Sequence, residues 1–111
     1  MRNVVQSLFD LQEMELVLTE SRILHSALPP VSMQRLEQKI ADSRREIGAN
    51  FLKRYDSLRR NGVGVAREQS GICNACHISV NIGDLSRMRR GEMAWTCPNC
   101  ARFLLLEGVP G

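Results

Sequence analysis

The sharpest chemistry in this chain belongs to Cys73, Cys76, Cys97 and Cys100, and its 111 residues include no other cysteine. They stand in Gly71-Ile72-Cys73-Asn74-Ala75-Cys76-His77 and in Trp95-Thr96-Cys97-Pro98-Asn99-Cys100, two Cys-x-x-Cys turns with twenty residues between them. That spacing is the one expected of a four-cysteine zinc site. Each turn presents two thiolates on one side of a tight bend. Two facing bends supply the four corners of a tetrahedron at about 2.3 Å from a metal. Zinc suits them, being borderline-soft, redox-inert and without a d-electron preference against that geometry. One structural zinc ion per chain is therefore the expected cofactor. Four thiolates leave no position open for water or substrate, so a catalytic zinc, and with it an enzyme, is not expected.

Two other readings of the cysteines compete. A pair of disulfides belongs to exported proteins. The first residues carry Asp10, Glu13, Glu15 and Glu20 among apolar ones, which is not the pattern of a signal peptide. A redox Cys-x-x-Cys needs a single pair in a βαβ setting. His77 follows Cys76 directly and can replace a cysteine. The blander role is a hydrogen bond to a thiolate from outside the turn. His25 is expected near a helical tip, in solvent. No Ser-His-Asp or paired-carboxylate arrangement can be assembled.

The net charge is +3, from fifteen basic and twelve acidic residues, which falls short of a strong polyanion binder. No apolar run approaches a membrane span. The expectation is a cytoplasmic protein whose cysteines stay reduced. A metal-binding tail of about forty residues rarely builds a sufficient core alone, so a metal staple there makes physical sense.

The elements that must position the cysteines read as helices first. From Arg2 to Leu28 there is no Gly or Pro. Val4, Leu8, Leu11 and Leu18 make one helical stripe, continued by Glu15 and Arg22; Phe9, Leu16, Ile23 and Ala27 make a second beside it. Pro29 and Pro30 stop this helix, and Ser32 is the candidate N-cap of the next. Met33, Leu36, Ile40, Ile47, Phe51, Tyr55 and Leu58 keep to one face, with a four-four step around Phe51. Asn61-Gly62 ends the segment.

The predicted fold is mainly α with a small β zinc ribbon. An antiparallel coiled-coil helical hairpin spans 1–62, with helices over 2–28 and 32–61. A linker spans 63–69, the C4 zinc ribbon 70–107 and a tail 108–111. Within the ribbon, strands are expected at 70–73, 78–80, 93–97 and 102–106. A helix is expected over 81–90 with Ile82, Leu85 and Met88 on one face.

From Leu52 to Leu106, about half the chain, the sequence resembles the bacterial C4-type zinc-ribbon coiled-coil proteins. The resemblance rests on Tyr55-x-x-Leu58-Arg59, Gly62-Val63-Gly64-Val65-Ala66, Gly71-x-Cys73-x-x-Cys76-His77, Met88-Arg89-Arg90-Gly91 and Cys97-Pro98-x-Cys100-x-Arg102-x-Leu104. It implies a short-hairpin cytoplasmic adaptor, in a family with links to flagellar or type III secretion assembly and to RNA or transcription-factor binding. Ala101 departs from the pattern, standing where a glycine usually follows the last cysteine.

Two partner classes follow. A protein partner on the hairpin is the leading expectation. Helix one has more apolar surface than helix two can cover, which predicts a homodimer through helix one or a heterologous partner. The alternative is RNA or DNA binding by the ribbon and the basic end of helix two. Arg44-Arg45, Lys53-Arg54, Arg59-Arg60 and Arg89-Arg90 invite it, although Asp42, Glu46 and Asp56 share that face and Asp56 is placed to pair with Arg60. Trp95 reads as packing rather than base stacking, since single-strand binders use several aromatics.

Overall fold

Asn3 starts the first helix, α1 (Val4–Leu24), by accepting the Val5 N–H on its side-chain oxygen at 2.8 Å. The computed structural model describes residues 3–24 and 30–108. His25, Ala27, Leu28 and Pro29 lie outside the described residues, and so do the ends of the first expected helix and of the tail. The second helix, α2 (Pro30–Ile47), is already helical at Pro30, the first residue described after 25–29. Ser32 therefore sits inside the first turn and is not the cap.

The expected single helix over 32–61 is two. Gly48, at φ 92° and ψ 160°, separates α2 from α3 (Ala49–Arg59). Only glycine adopts that backbone without strain. The break falls at the four-four step around Phe51, where the apolar rhythm continues in phase across a change of direction. As a result Tyr55 is fully buried, Leu58 is half-buried, and Phe51 is exposed. Phe51, expected on one face with Tyr55 and Leu58, is therefore not part of the core.

α1 and α2 run antiparallel: Glu15 pairs with Arg44, and Arg22, further along α1, pairs with the earlier Glu37. Arg44 also reaches Asp56 at 2.6 Å, and the Tyr55 hydroxyl donates to Glu15 at 2.6 Å. One carboxylate and one guanidinium thus tie three helices. Asp56 is used here, so the expected pair with Arg60 does not form. Burial, helped by Glu15, holds the Tyr55 hydroxyl protonated well above its ordinary range.

A three-stranded sheet completes the fold in the order β2-β1-β3. β1 (Val65–Gln69) lies in the centre, antiparallel to β2 (Ile72–Cys73) and parallel to β3 (Phe103–Leu105), with Val65 opposite Phe103. The segment 63–69 is thus no linker. Its flanking glycines suggest a joint, but Val65 and Ala66 are buried and seat the sheet on α1. The strands expected over 78–80 and 93–97 reduce to single bridges, Ile72 with Ser79 and Thr96 with Phe103. α4 (Ile82–Arg89) is capped by Asn81, which accepts from the N–H groups of Gly83 and Asp84. Leu85 and Met88 face inward; Ile82, on the first turn, is 84% exposed.

The core runs without interruption from Val5, Leu8 and Leu11 of α1 through Tyr55 and Val65 to Leu104, Met88, Trp95 and Cys97. Helices and cysteine region share it. Gly64 is obligatory at the join, since a Cβ there would stand 2.6 Å from the Tyr55 ring. No helix among the described residues is long and apolar enough to cross a membrane.

Candidate metal centre

Each Cys-x-x-Cys turn is built the same way. In the first, the Cys73 N–H donates to Ile78 O at 3.2 Å and the His77 N–H to Cys73 O at 2.8 Å. In the second, the Cys97 N–H donates to Arg102 O and the Ala101 N–H to Cys97 O, both at 2.9 Å. The N–H groups of Ala75 and Cys76 point at the Cys73 sulfur, and those of Asn99 and Cys100 at the Cys97 sulfur. The chain leaves each turn through a left-handed residue, His77 at φ 62° and Ala101 at φ 64°. Two near-identical bends therefore face one another.

The four sulfurs lie within 4.8 Å of one another and could hold a metal ion. Cys73 Sγ is 3.9 Å from Cys100 Sγ, and Cys76 Sγ is 3.7 Å from Cys97 Sγ. A tetrahedral thiolate site with bonds of about 2.3 Å has sulfur–sulfur edges of about 3.8 Å. The donor set fits such an ion in number, type and spacing. All four cysteines are free, at separations far beyond a disulfide bond of about 2.05 Å. Cys73 and Cys97 are buried; Cys76 and Cys100 are half-buried.

Burial pushes the Cys73 thiol up to about 12 and raises Cys97 as well, because a thiolate is disfavoured away from water. Cys76 is lowered to about 6, chiefly by the Asn99 side chain and then by the Ile78 N–H. A cation among the sulfurs reverses the penalty at the buried pair, since a coordinating thiol is deprotonated outright.

Around the sulfurs lie residues whose roles are not visible in the motif alone. Asn74 accepts from the Arg67 N–H and donates its own N–H to Arg67 O, fixing the first turn to β1. Arg54 of α3 donates to Ala101 O and Thr96 Oγ1, and its guanidinium lies 4.3 Å over the Phe103 ring. Arg102 donates to Val63 O and Asn61 O. Arg102 stands in the motif that carries the family resemblance and Arg54 in a dibasic pair, but neither pattern marks these contacts, and Asn74 carries no signal of its own. His77 is exposed, and among the described residues its ring makes no hydrogen bond, so the expected thiolate contact is absent. Trp95 is buried and donates to Met88 O at 2.9 Å, which is the packing role expected of it.

The dibasic pairs are largely occupied. Arg44 holds Glu15 and Asp56, Arg45 holds Asp42, Arg89 holds Glu68, and Arg90 holds Glu92. Arg54 and Arg59 donate to backbone carbonyls.

Ala101 carries a cost that a glycine would not. The left-handed conformation costs an L-residue roughly 1–2 kcal/mol, and glycine returns part of that through its looser unfolded chain. Ala101→Gly is expected to stabilise the metal-loaded protein by about 1 kcal/mol. Urea denaturation checks this, and an unchanged or lower midpoint would count against a strained Ala101.

No family model, no curated protein and no solved structure matches this chain.

Proposed function

We propose that this chain is a non-enzymatic zinc-ribbon adaptor, a short-hairpin relative of the bacterial C4-type zinc-ribbon coiled-coil proteins. It would bind a protein partner through α1 and α2 and work in the cytoplasm. The observation that carries the reading is the closed set of four sulfurs at tetrahedral spacing. It supports a metal that holds structure and has no vacant position for a substrate. Zinc is favoured over iron, the other ion that takes four thiolates in a tetrahedron. The antiparallel α1–α2 pair supports the hairpin, and the ordered motifs from Tyr55 to Leu104 support the family. Nucleic-acid binding is the weaker alternative, because most of the dibasic arginines already hold carboxylates or carbonyls of this chain.

Elemental analysis of protein purified without chelator is expected to give one zinc per chain. Less than half an equivalent, or a red iron-loaded protein, would overturn the zinc assignment. Loading must also depend on pH in one direction. The metal-free fold keeps protons on Cys73 and Cys97 that the metal-bound form has lost, so acidification favours release. Release monitored with a colorimetric zinc indicator is expected to grow steadily as pH falls below neutral. Release that grows with rising pH would contradict thiolate ligation.

A further inference from the structure

Val5, Phe9, Gln12, Leu16, Thr19 and Ile23 succeed one another at steps of four and three along α1, and so form a single face. The first half of that face is covered. Val5 enters the core, Phe9 lies 5.8 Å under the Arg67 guanidinium, and Gln12 is bonded to β1. The second half runs past the sheet. Leu16 is 38% and Ile23 68% exposed. α2 leaves them exposed, and its own Ile40 and Ile47 pack against the core instead. One flank of the overhanging stripe carries Glu13 and Glu20, both exposed and without an ion pair among the described residues.

We propose that this overhang of α1 is a docking site for an amphipathic helix of another protein that carries Lys or Arg beside its apolar stripe. Two observations select this occupant. The flank is acidic, so a basic flank completes it, whereas a second copy would not. Two α1 helices packed antiparallel about the middle of this stripe bring the Glu20 side chains of both copies together, and like charges there disfavour pairing. The stripe from Leu16 to Ile23 is also short, about 10 Å by helical rise. That suits two or three turns of a partner helix. It falls well short of the roughly 800 Å² per subunit that stable interfaces bury. The inference names the partner chemistry of the adaptor reading and rests on its protein-binding half alone.

The test uses the full metal-loaded chain and two synthetic helical peptides. Both have leucines at heptad spacing; one has lysines on the flanks and the other glutamates. Fluorescence anisotropy at physiological salt is expected to show saturable one-to-one binding of the lysine peptide, and binding of the glutamate peptide about tenfold weaker or less. A Glu13→Lys, Glu20→Lys variant is expected to reverse that preference. A Leu16→Asp, Ile23→Asp variant is expected to lose the lysine peptide while keeping its metal, measured on the same sample. Equal binding of the two peptides, binding to neither, or binding that survives Leu16→Asp, Ile23→Asp overturns the proposal. So does a dimer seen by light scattering that the same double variant dissolves, because a second copy would then own the face. The metal readout separates these failures from a failure of the zinc assignment.

Discussion

Cys97→Ser is expected to empty the metal site and unfold far more than the cysteine region. Structural zinc contributes about 10–16 kcal/mol in small metal-folded domains, as much as or more than the whole stability of an ordinary domain. Cys97 is buried, and its N–H and C=O both close the second turn. β3 begins just past that turn and pairs with β1, and β1 seats on α1. Loss of the second turn therefore removes the surface on which Val5, Leu8 and Leu11 are packed. The division of the sequence at 62 and 70 implies that the helices survive on their own; the shared core implies the opposite. Far-UV circular dichroism is expected to show a large fall in helical signal together with loss of metal. A variant that keeps its helical signal and melts as the parent does would show that the helices need no metal.

The second large effect is expected at Gln12, which is 3% exposed. Its side-chain oxygen accepts the N–H groups of Gly64 and Val65, at 2.8 and 2.9 Å, and its amide donates to Val65 O at 3.1 Å. One side chain thus satisfies three backbone groups where the chain enters β1. Gln12→Leu keeps much of the volume and leaves all three without partners. Each such group costs roughly 1–3 kcal/mol, so a loss of at least about 3 kcal/mol is expected. Gln12→Glu keeps the two accepted bonds and should cost less. Chemical denaturation of the three proteins ranks them. A Gln12→Leu change below about 1 kcal/mol would mean that water or a backbone shift replaces the amide.

The four-cysteine cluster is legible in the sequence because two Cys-x-x-Cys pairs at this spacing have few uses other than holding a metal ion. The helical start is legible from a long stretch without Gly or Pro, and α4 from its apolar spacing before Gly91. Gln12 is not legible. A glutamine on a helix is ordinarily solvated, and only the arrival of β1 from fifty residues away gives it partners. β1 itself is hidden for a related reason. Its two apolar residues follow a pair of glycines that read as a joint, although Gly64 is there to admit the Tyr55 ring. Gly48 is missed because apolar periodicity records which side faces inward and not where the axis turns. Ala101 is the reverse case, since the departure from a glycine pattern predicts a positive φ that the backbone does adopt.

The parallel pairing of β1 with β3 also orders events in time. Val65 meets Phe103 only after both cysteine turns have been traversed, so the central strand waits with one edge open for nearly the whole metal region. Contacts so distant along the chain form slowly, because loop closure must precede the pairing that rewards it. A metal ion held by four cysteines shortens that wait by drawing the turn before β3 up to the turn after β2. The ion would then act on folding speed as well as on stability. Chains made under metal starvation would expose Val65 and Ala66 for longest, and an open strand edge of that kind is where aggregation begins.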